Sequence, residues 1–119
     1  DMLDGTHRPA VSSDCSIKKA IVEISEKRLG VTAVLDNNKI VGIITDGDIR
    51  RMLNDRDNIA GVTAADIMTR NPKTISPAAM ATEALHTMEN FAITQLVVAD
   101  GDEYLGVLHL HDILKEGIV

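Results

Sequence analysis

The chain has 119 residues and a formal net charge of −6 at pH 7, with 12 Lys or Arg against 18 Asp or Glu. This acidic balance, without a basic stripe, excludes nucleic acid as a partner, and an aromatic content of 2% excludes a base-stacking surface. No apolar run approaches the ~20 residues of a membrane helix, and the length is too short for most complete metabolic enzymes.

The N-terminal residues 1–5 do not begin with methionine and lack the features of a signal peptide, so we expect a piece excised from a longer chain. The single cysteine, Cys15, cannot form an internal disulfide. Because unpaired cysteines are typical of reducing compartments, the expected location is the cytoplasm.

The first half of the chain predicts a helix, two strands and a second helix. Apolar residues at three- and four-residue steps predict a helix over 16–29, ended by Gly30. Residues 31–35 and 40–44 are β-branched or apolar and predict strands, separated by the turn residues Asp, Asn, Asn and Lys. The second strand is apolar on both faces and should be covered on both sides. A further helix is expected to start with residues 49–53.

The same pattern returns in the second half. The segment from Gly42 to Ile49 matches the segment from Gly106 to Ile113, an offset of 106 − 42 = 64. The second copy predicts a helix from Pro77 to about Asn90, strands over 93–99 and 104–108, and a last helix from Asp112.

The predicted fold class is therefore α+β, with two αββα repeats packed sheet to sheet about a pseudo-twofold axis. Repeat 1 comprises residues 1–63, including an N-terminal segment and a linker, and repeat 2 comprises residues 64–119. Because one repeat buries too little apolar surface alone, the two should pack together, with a ligand in the cleft between them.

Thr45 and Asp48 lie where a buried strand meets a helix, and two interpretations fit their spacing. The structural one is a capping box, in which the Thr45 hydroxyl accepts from the Asp48 N–H and the Asp48 carboxylate accepts from Thr45. In the functional one, free N–H groups at the helix start and the Thr45 hydroxyl hold a phosphate, while Asp48 accepts from a sugar diol. The two are compatible.

Arg51 and its neighbour Arg50 follow in the first helical turn, where the helix dipole opposes cations. They are either exposed, or paired with a nearby aspartate (Asp46, Asp55 or Asp57), or in contact with an anionic ligand.

The matching position in repeat 2 carries His109 in place of Thr45, with His111 and Asp112 following it. Imidazole is not an ordinary N-cap side chain, so the two pockets should differ. Alternate spacing also allows metal ligation, but no third ligand is evident, and a partly buried, hydrogen-bonded histidine pair is preferred. A protonated pair would favour an anionic ligand near pH 6 to 7. No metal and no catalytic residue are predicted.

The repeated order, the Gly-apolar-apolar-Thr-x-x-Asp motif at residues 42–48 and the link at residues 65–72 together resemble a pair of CBS domains over essentially the whole chain. This resemblance implies a regulatory module that binds adenine nucleotides or other phosphorylated metabolites and performs no chemistry itself. The ligand-binding candidates are Thr45, Asp48, Arg51, His109, His111 and Asp112.

A narrower resemblance, to the C-terminal part of D-arabinose 5-phosphate isomerases, rests on residues 45–51, 98–101 and 105–114 and the terminal Gly-Ile-Val. It implies an N-terminal sugar isomerase (SIS) domain in the parent chain, which converts ribulose 5-phosphate to arabinose 5-phosphate for Kdo, and thus for lipopolysaccharide or capsule. It also implies a homodimer of CBS pairs in a parent that could be tetrameric. No cofactor is required; an adenine nucleotide or CMP-Kdo is the expected regulatory ligand.

Two other functions remain open from the residues. One is a purely structural or oligomerising module in which Thr45 and Asp48 only cap a helix. The other is a small histidine-dependent hydrolase or metal enzyme, although the sequence shows no nucleophile, base and orienting group together.

Overall fold

The computed structural model describes residues 8–115, which form two compact units. The N-terminal segment of repeat 1 before Arg8 and the terminal Gly-Ile-Val lie outside the described residues.

The first unit comprises Pro9–Pro72. Its elements are β1 (Ala10–Ser12), α1 (Ile17–Lys27), β2 (Val31–Asp36), β3 (Lys39–Thr45), α2 (Asp46–Asp55), α3 (Ala64–Ile67) and β4 (Thr69–Arg70). The second unit comprises Arg8 and the residues from Lys73 on. Its elements are β5 (Thr74–Ile75), α4 (Ala81–Phe91), β6 (Gln95–Asp100), β7 (Glu103–His109) and α5 (Leu110–Lys115).

The strands of the first unit are arranged around a central hairpin. β1 pairs in parallel with β2, β2 pairs antiparallel with β3, and β4 pairs antiparallel with the other edge of β3. The hairpin turn is made by Asn37 and Asn38, with φ of 52° and 65°. Asparagine tolerates this left-handed conformation, which a two-residue hairpin turn requires. The predicted turn is therefore confirmed.

The second unit repeats this arrangement, with β5 parallel to β6 and β6 antiparallel to β7. The predicted offset holds for the strand pairing itself, because the bulge that follows the Val34–Gly42 pair in the first unit recurs after the Val98–Gly106 pair in the second. The internal repeat is therefore a structural repeat down to the register of its strands.

The predicted α+β class is confirmed. Each unit adds a short strand before its first helix, β1 or β5, so that its order begins βαββα where the sequence predicted αββα. Strands as short as these are too short to show the alternation of apolar and polar residues by which strands are recognised in a sequence. The repeat boundary predicted between residues 63 and 64 stays a prediction; α3 and β4 lie in the first compact unit.

Four predicted helix ends were wrong. Helix α2 begins at Asp46 instead of Ile49, and α5 begins at Leu110 instead of Asp112. Helix α1 ends at Lys27 with Arg28 in the left-handed conformation (φ 58°), before Gly30 is reached. Helix α4 begins at Ala81 instead of Pro77, because the Ser76 hydroxyl and carbonyl accept hydrogen bonds from the two residues after Pro77 and form a separate turn. Serine hydroxyls stabilise such turns as readily as helix starts.

Each unit has its own apolar core between its helices and its strands. In the first unit the core includes Ile17, Ile44 and Met52, and in the second it includes Leu108 and Ile113. Among residues 8–115, no helix has both the length and the apolar character needed to cross a membrane.

Candidate functional site

The junction of β3 and α2 brings Thr45 and Asp48 into a complete capping box. The Asp48 N–H donates to Thr45 Oγ1 at 3.2 Å, and the Thr45 N–H donates to Asp48 Oδ2 at 2.9 Å. The Thr45 hydroxyl also donates to Asp48 Oδ2, at 3.1 Å. The structural interpretation of the motif is confirmed. The expectation that the Thr45 hydroxyl donates to a phosphate stays a prediction; in this structure the hydroxyl donates to Asp48.

Arg51 lies one turn further along α2 and pairs with Asp48, a partner that the sequence analysis did not consider. Its Nη2 donates to Asp48 Oδ1. The side chain of Arg51 is 70% exposed, whereas that of Asp48 is 8% exposed. Residues three apart share a helical face, so Arg51 reaches Asp48. Because α2 begins at Asp46, Arg51 stands in its second turn, beyond the first turn in which the helix dipole opposes cations. The guanidinium thus remains open to solvent above a buried carboxylate.

Gly47 is the residue that the sequence analysis missed. As the second residue of α2, it has an N–H without an intrahelical partner. A Cβ placed on Gly47 would lie 3.4 Å from Arg51 Nη1, so the backbone here is next to the guanidinium. The preceding N–H, that of Asp46, already donates to the Gly30 carbonyl at 3.0 Å. The donors available to an anion are therefore the Gly47 N–H and the Arg51 guanidinium. A glycine in the first turn of a helix was the feature of the sequence that could have indicated them.

The equivalent junction of β7 and α5 is capped by His109, contrary to our expectation. The His111 N–H donates to His109 Nδ1 at 3.1 Å. Nδ1 lies at the same distance along the side chain as the Oδ1 of asparagine, a good N-cap acceptor, and this explains why imidazole can replace threonine. The His109 N–H donates to Asp112 Oδ2 at 3.2 Å, as the Thr45 N–H does to Asp48.

The two imidazole rings of the second unit stack on each other, and the hydrogen bond of the pair runs from the His111 backbone N–H to the His109 ring. The rings of His109 and His111 are stacked, with centroids 4.9 Å apart and planes 8° apart. Partial burial of His109, and then the neighbouring His111, lower the pKa of His109, while Asp112 opposes the shift. These contacts favour the neutral form of His109, whereas the attraction of an anion would require the protonated ring.

The six predicted residues form two groups, Thr45 with Asp48 and Arg51 in the first unit, and His109 with His111 and Asp112 in the second. Within the part of the chain described, no three His, Cys, Asp or Glu side chains are placed to hold a metal ion. The second unit also carries an apolar groove of ≈ 520 Å³ next to this group, lined by side chains of α4 and α5 that include Leu110 and Leu114.

The sequence model of the CBS domain matches the chain twice, over residues 5–55 and 64–118. The chain belongs to the CBS domain family. Because both repeats match, it contains a CBS pair, and the recognition made from residues 42–48 and their repeat is confirmed.

Among curated proteins, this CBS pair is similar to the arabinose 5-phosphate isomerases KdsD of Yersinia pestis and Escherichia coli K12. It is 44% and 40% identical to them, in each case over 99% of the chain. The chain spans 36% of the length of each relative.

Among solved structures, the CBS domain pair of protein MJ0100 matches with a TM-score of 0.82 and 26% identity, over 99% of this chain and 97% of that one. That protein was crystallised in complex with 5′-methylthioadenosine and S-adenosyl-L-methionine.

Proposed function

We propose that this CBS pair is the regulatory, ligand-binding part of an arabinose 5-phosphate isomerase. The observation that carries the proposal is the 44% identity to KdsD over 99% of the chain. In the whole protein, an N-terminal SIS domain converts ribulose 5-phosphate to arabinose 5-phosphate, the precursor of Kdo in lipopolysaccharide or capsule. The CBS pairs associate as homodimers and alter the activity of that domain when a small anionic metabolite binds.

The ligand is a nucleotide or sugar nucleotide, with adenine nucleotides and CMP-Kdo as the candidates. The adenosyl ligands in the MJ0100 complex support the first of these. In the first unit, Arg51 and the Gly47 N–H bind the phosphate, because they are the donors that the capping box leaves available. Thr45 and Asp48 shape the site, and a ribose hydroxyl would share Asp48 Oδ1 with Arg51.

The second unit contributes a chemically different group. His109 and His111 offer ring nitrogens and stacked faces, and Asp112 offers a carboxylate that accepts one backbone N–H at 3.2 Å. We propose that these residues bind uncharged groups of a ligand in the second unit, since a neutral imidazole forms hydrogen bonds without attracting phosphate.

Isothermal titration and thermal shift with AMP, ATP, 5′-methylthioadenosine and CMP-Kdo test this function. A ligand at about 100 times its Kd should add about 2.7 kcal/mol to the free energy of unfolding. Arg51→Ala should weaken phosphate-dependent binding about tenfold or more, because it removes a charged donor and leaves the Thr45–Asp48 bonds in place. Arg50→Ala is the matched control, since Arg50 is exposed on the same helix turn.

The alternative function makes the opposite predictions. If the pair is only a structural or oligomerising module, none of the four ligands shifts the unfolding temperature, and Asp48→Ala changes stability without changing any binding. The regulatory part of the proposal is tested separately, on the full-length isomerase. A ligand that binds the CBS pair should change the isomerisation rate when it is added to this enzyme, and an unchanged rate would contradict regulation.

A further inference from the structure

The N-terminus of α5 is closed by a group that can be protonated, whereas the equivalent helix of the first unit is closed by one that cannot. In α2 the capping acceptor is the Thr45 hydroxyl, at 3.2 Å from the Asp48 nitrogen. In α5 it is His109 Nδ1, at 3.1 Å from the His111 nitrogen. Nδ1 accepts this bond only with its lone pair free, so the ring must be neutral with its proton on Nε2.

We propose that His109 is a pH-sensitive cap, and that a proton on its Nδ1 opens the start of α5 and loosens this helix from the second unit. The proton occupies the lone pair that accepts from His111, so that two N–H groups face each other and the hydrogen bond is lost. The added positive charge also lies at the positive end of the α5 dipole. The first unit provides an internal reference, since Thr45 does not titrate.

The charged groups around His109 have opposing effects. On α5 itself, His111 stacks at 4.9 Å and disfavours a second positive charge, whereas Asp112 favours protonation. On β6, the residue paired with His109 is the neutral Gln95. On α4, Glu89 lines the groove beside Leu110. Burial and His111 together outweigh Asp112, which lowers the pKa of His109.

The direction of the pH effect follows from this lowered pKa. The unfolded chain takes up the proton near pH 6.5, but the folded second unit does so only at lower pH. The stabilising contribution of the cap is therefore complete above pH 6.5, declines as the pH falls through that value, and is lost below the folded pKa.

The opening of α5 matters because this helix completes the second core. Ile113 is 2% exposed within that core, and the Leu110 N–H donates to the Thr94 carbonyl at 2.8 Å. Leu110 and Leu114 also line the apolar groove against α4. Loosening α5 would therefore change an apolar surface of the second unit.

NMR titration of the whole chain from pH 8 to 5 tests the proposal. We expect the His109 ring to titrate with a midpoint below 6.5, and the amide resonances of His111 and Ile113 to move with that midpoint while the Gly47 amide stays still. His109→Asn keeps a δ acceptor that does not titrate, so it should retain the cap and abolish the amide shifts. His111→Asn should keep the switch, because the donor to His109 is the backbone N–H of residue 111. It should also raise the midpoint of the His109 titration, because it removes the neighbouring imidazole that lowers the pKa.

Two results would overturn the proposal. One is a His109 ring that titrates while the amides of α5 remain unchanged. The other is an α5 transition that persists in His109→Asn with the same midpoint. Circular dichroism of each variant at pH 8 verifies folding, and neither result depends on whether the pair binds a ligand.

Discussion

The unequal caps predict that the same substitution has different effects in the two units. Asp48→Ala removes an acceptor that receives two hydrogen bonds from Thr45 and pairs with Arg51. Because Asp48 is 8% exposed, water cannot readily replace these bonds. The equivalent substitution, Asp112→Ala, removes an acceptor that receives one hydrogen bond, from the His109 N–H at 3.2 Å.

The magnitudes follow from these bonds. A lost capping interaction costs about 1 kcal/mol, and a partly buried N–H left without an acceptor costs about 1–3 kcal/mol. We therefore expect Asp48→Ala to lower the free energy of unfolding by about 2–4 kcal/mol. The ion pair with the exposed Arg51 guanidinium adds at most about 1 kcal/mol. For Asp112→Ala, the loss of a single hydrogen bond leads us to expect about 1 kcal/mol.

Urea unfolding followed by circular dichroism at pH 8 measures both losses, with Arg51→Ala as the control for the ion pair alone. Equal losses for Asp48→Ala and Asp112→Ala would refute the reasoning, since the two carboxylates would then contribute equally despite their different bonds. So would an Arg51→Ala loss as large as that of Asp48→Ala, because the ion pair would then account for the whole effect.

Three further predictions concern the stability of individual elements. A Cβ on Gly42 would lie 2.8 Å from the backbone carbonyl oxygen of Thr69, and this contact would force β4 away from β3. Gly42→Ala should therefore lower the free energy of unfolding in urea by about 1–3 kcal/mol. Met80 occupies the N-cap of α4 without a side-chain bond, so Met80→Ser should raise the unfolding temperature, with a gain of about 0.5–1 kcal/mol. Hydrogen bonds from Thr63 lower the pKa of Asp66, so the start of α3 should lose protection from amide exchange as the pH falls below 3.8.

Features set by local sequence were predicted well. The strands around Gly42 and Gly106 were predicted from β-branched residues bounded by turn residues. The offset of 64 between the repeats allowed the elements predicted in the first repeat to be predicted in the second as well. The Thr45–Asp48 capping box is also local, because its two members are close neighbours in the chain. In these cases the residues that determine the structure lie within one short segment.

Other features depend on choices that the sequence leaves open. Ser76 could start a helix or a turn, and only the contacts of the folded unit decide for the turn. Arg51 had several aspartates within reach, and helical geometry selected Asp48. His109 was misjudged because imidazole was assessed by its rarity at helix starts and not by where its Nδ1 lies.

The caps of α2 and α5 share one hydrogen bond, from a backbone N–H to an aspartate, and differ in the second acceptor. In both, an aspartate accepts the N–H of the residue that ends the strand, so Asp48 and Asp112 fix the same turn from strand to helix. The second acceptor, Thr45 or His109, does not alter that turn and is free to vary. With Thr45 as the cap, the N–H of Gly47 has no acceptor within the cap and lies next to Arg51. With His109 as the cap, the corresponding N–H, that of His111, donates to the imidazole. These differences within a repeated motif therefore give one unit donors suited to an anion and the other a cap that depends on pH.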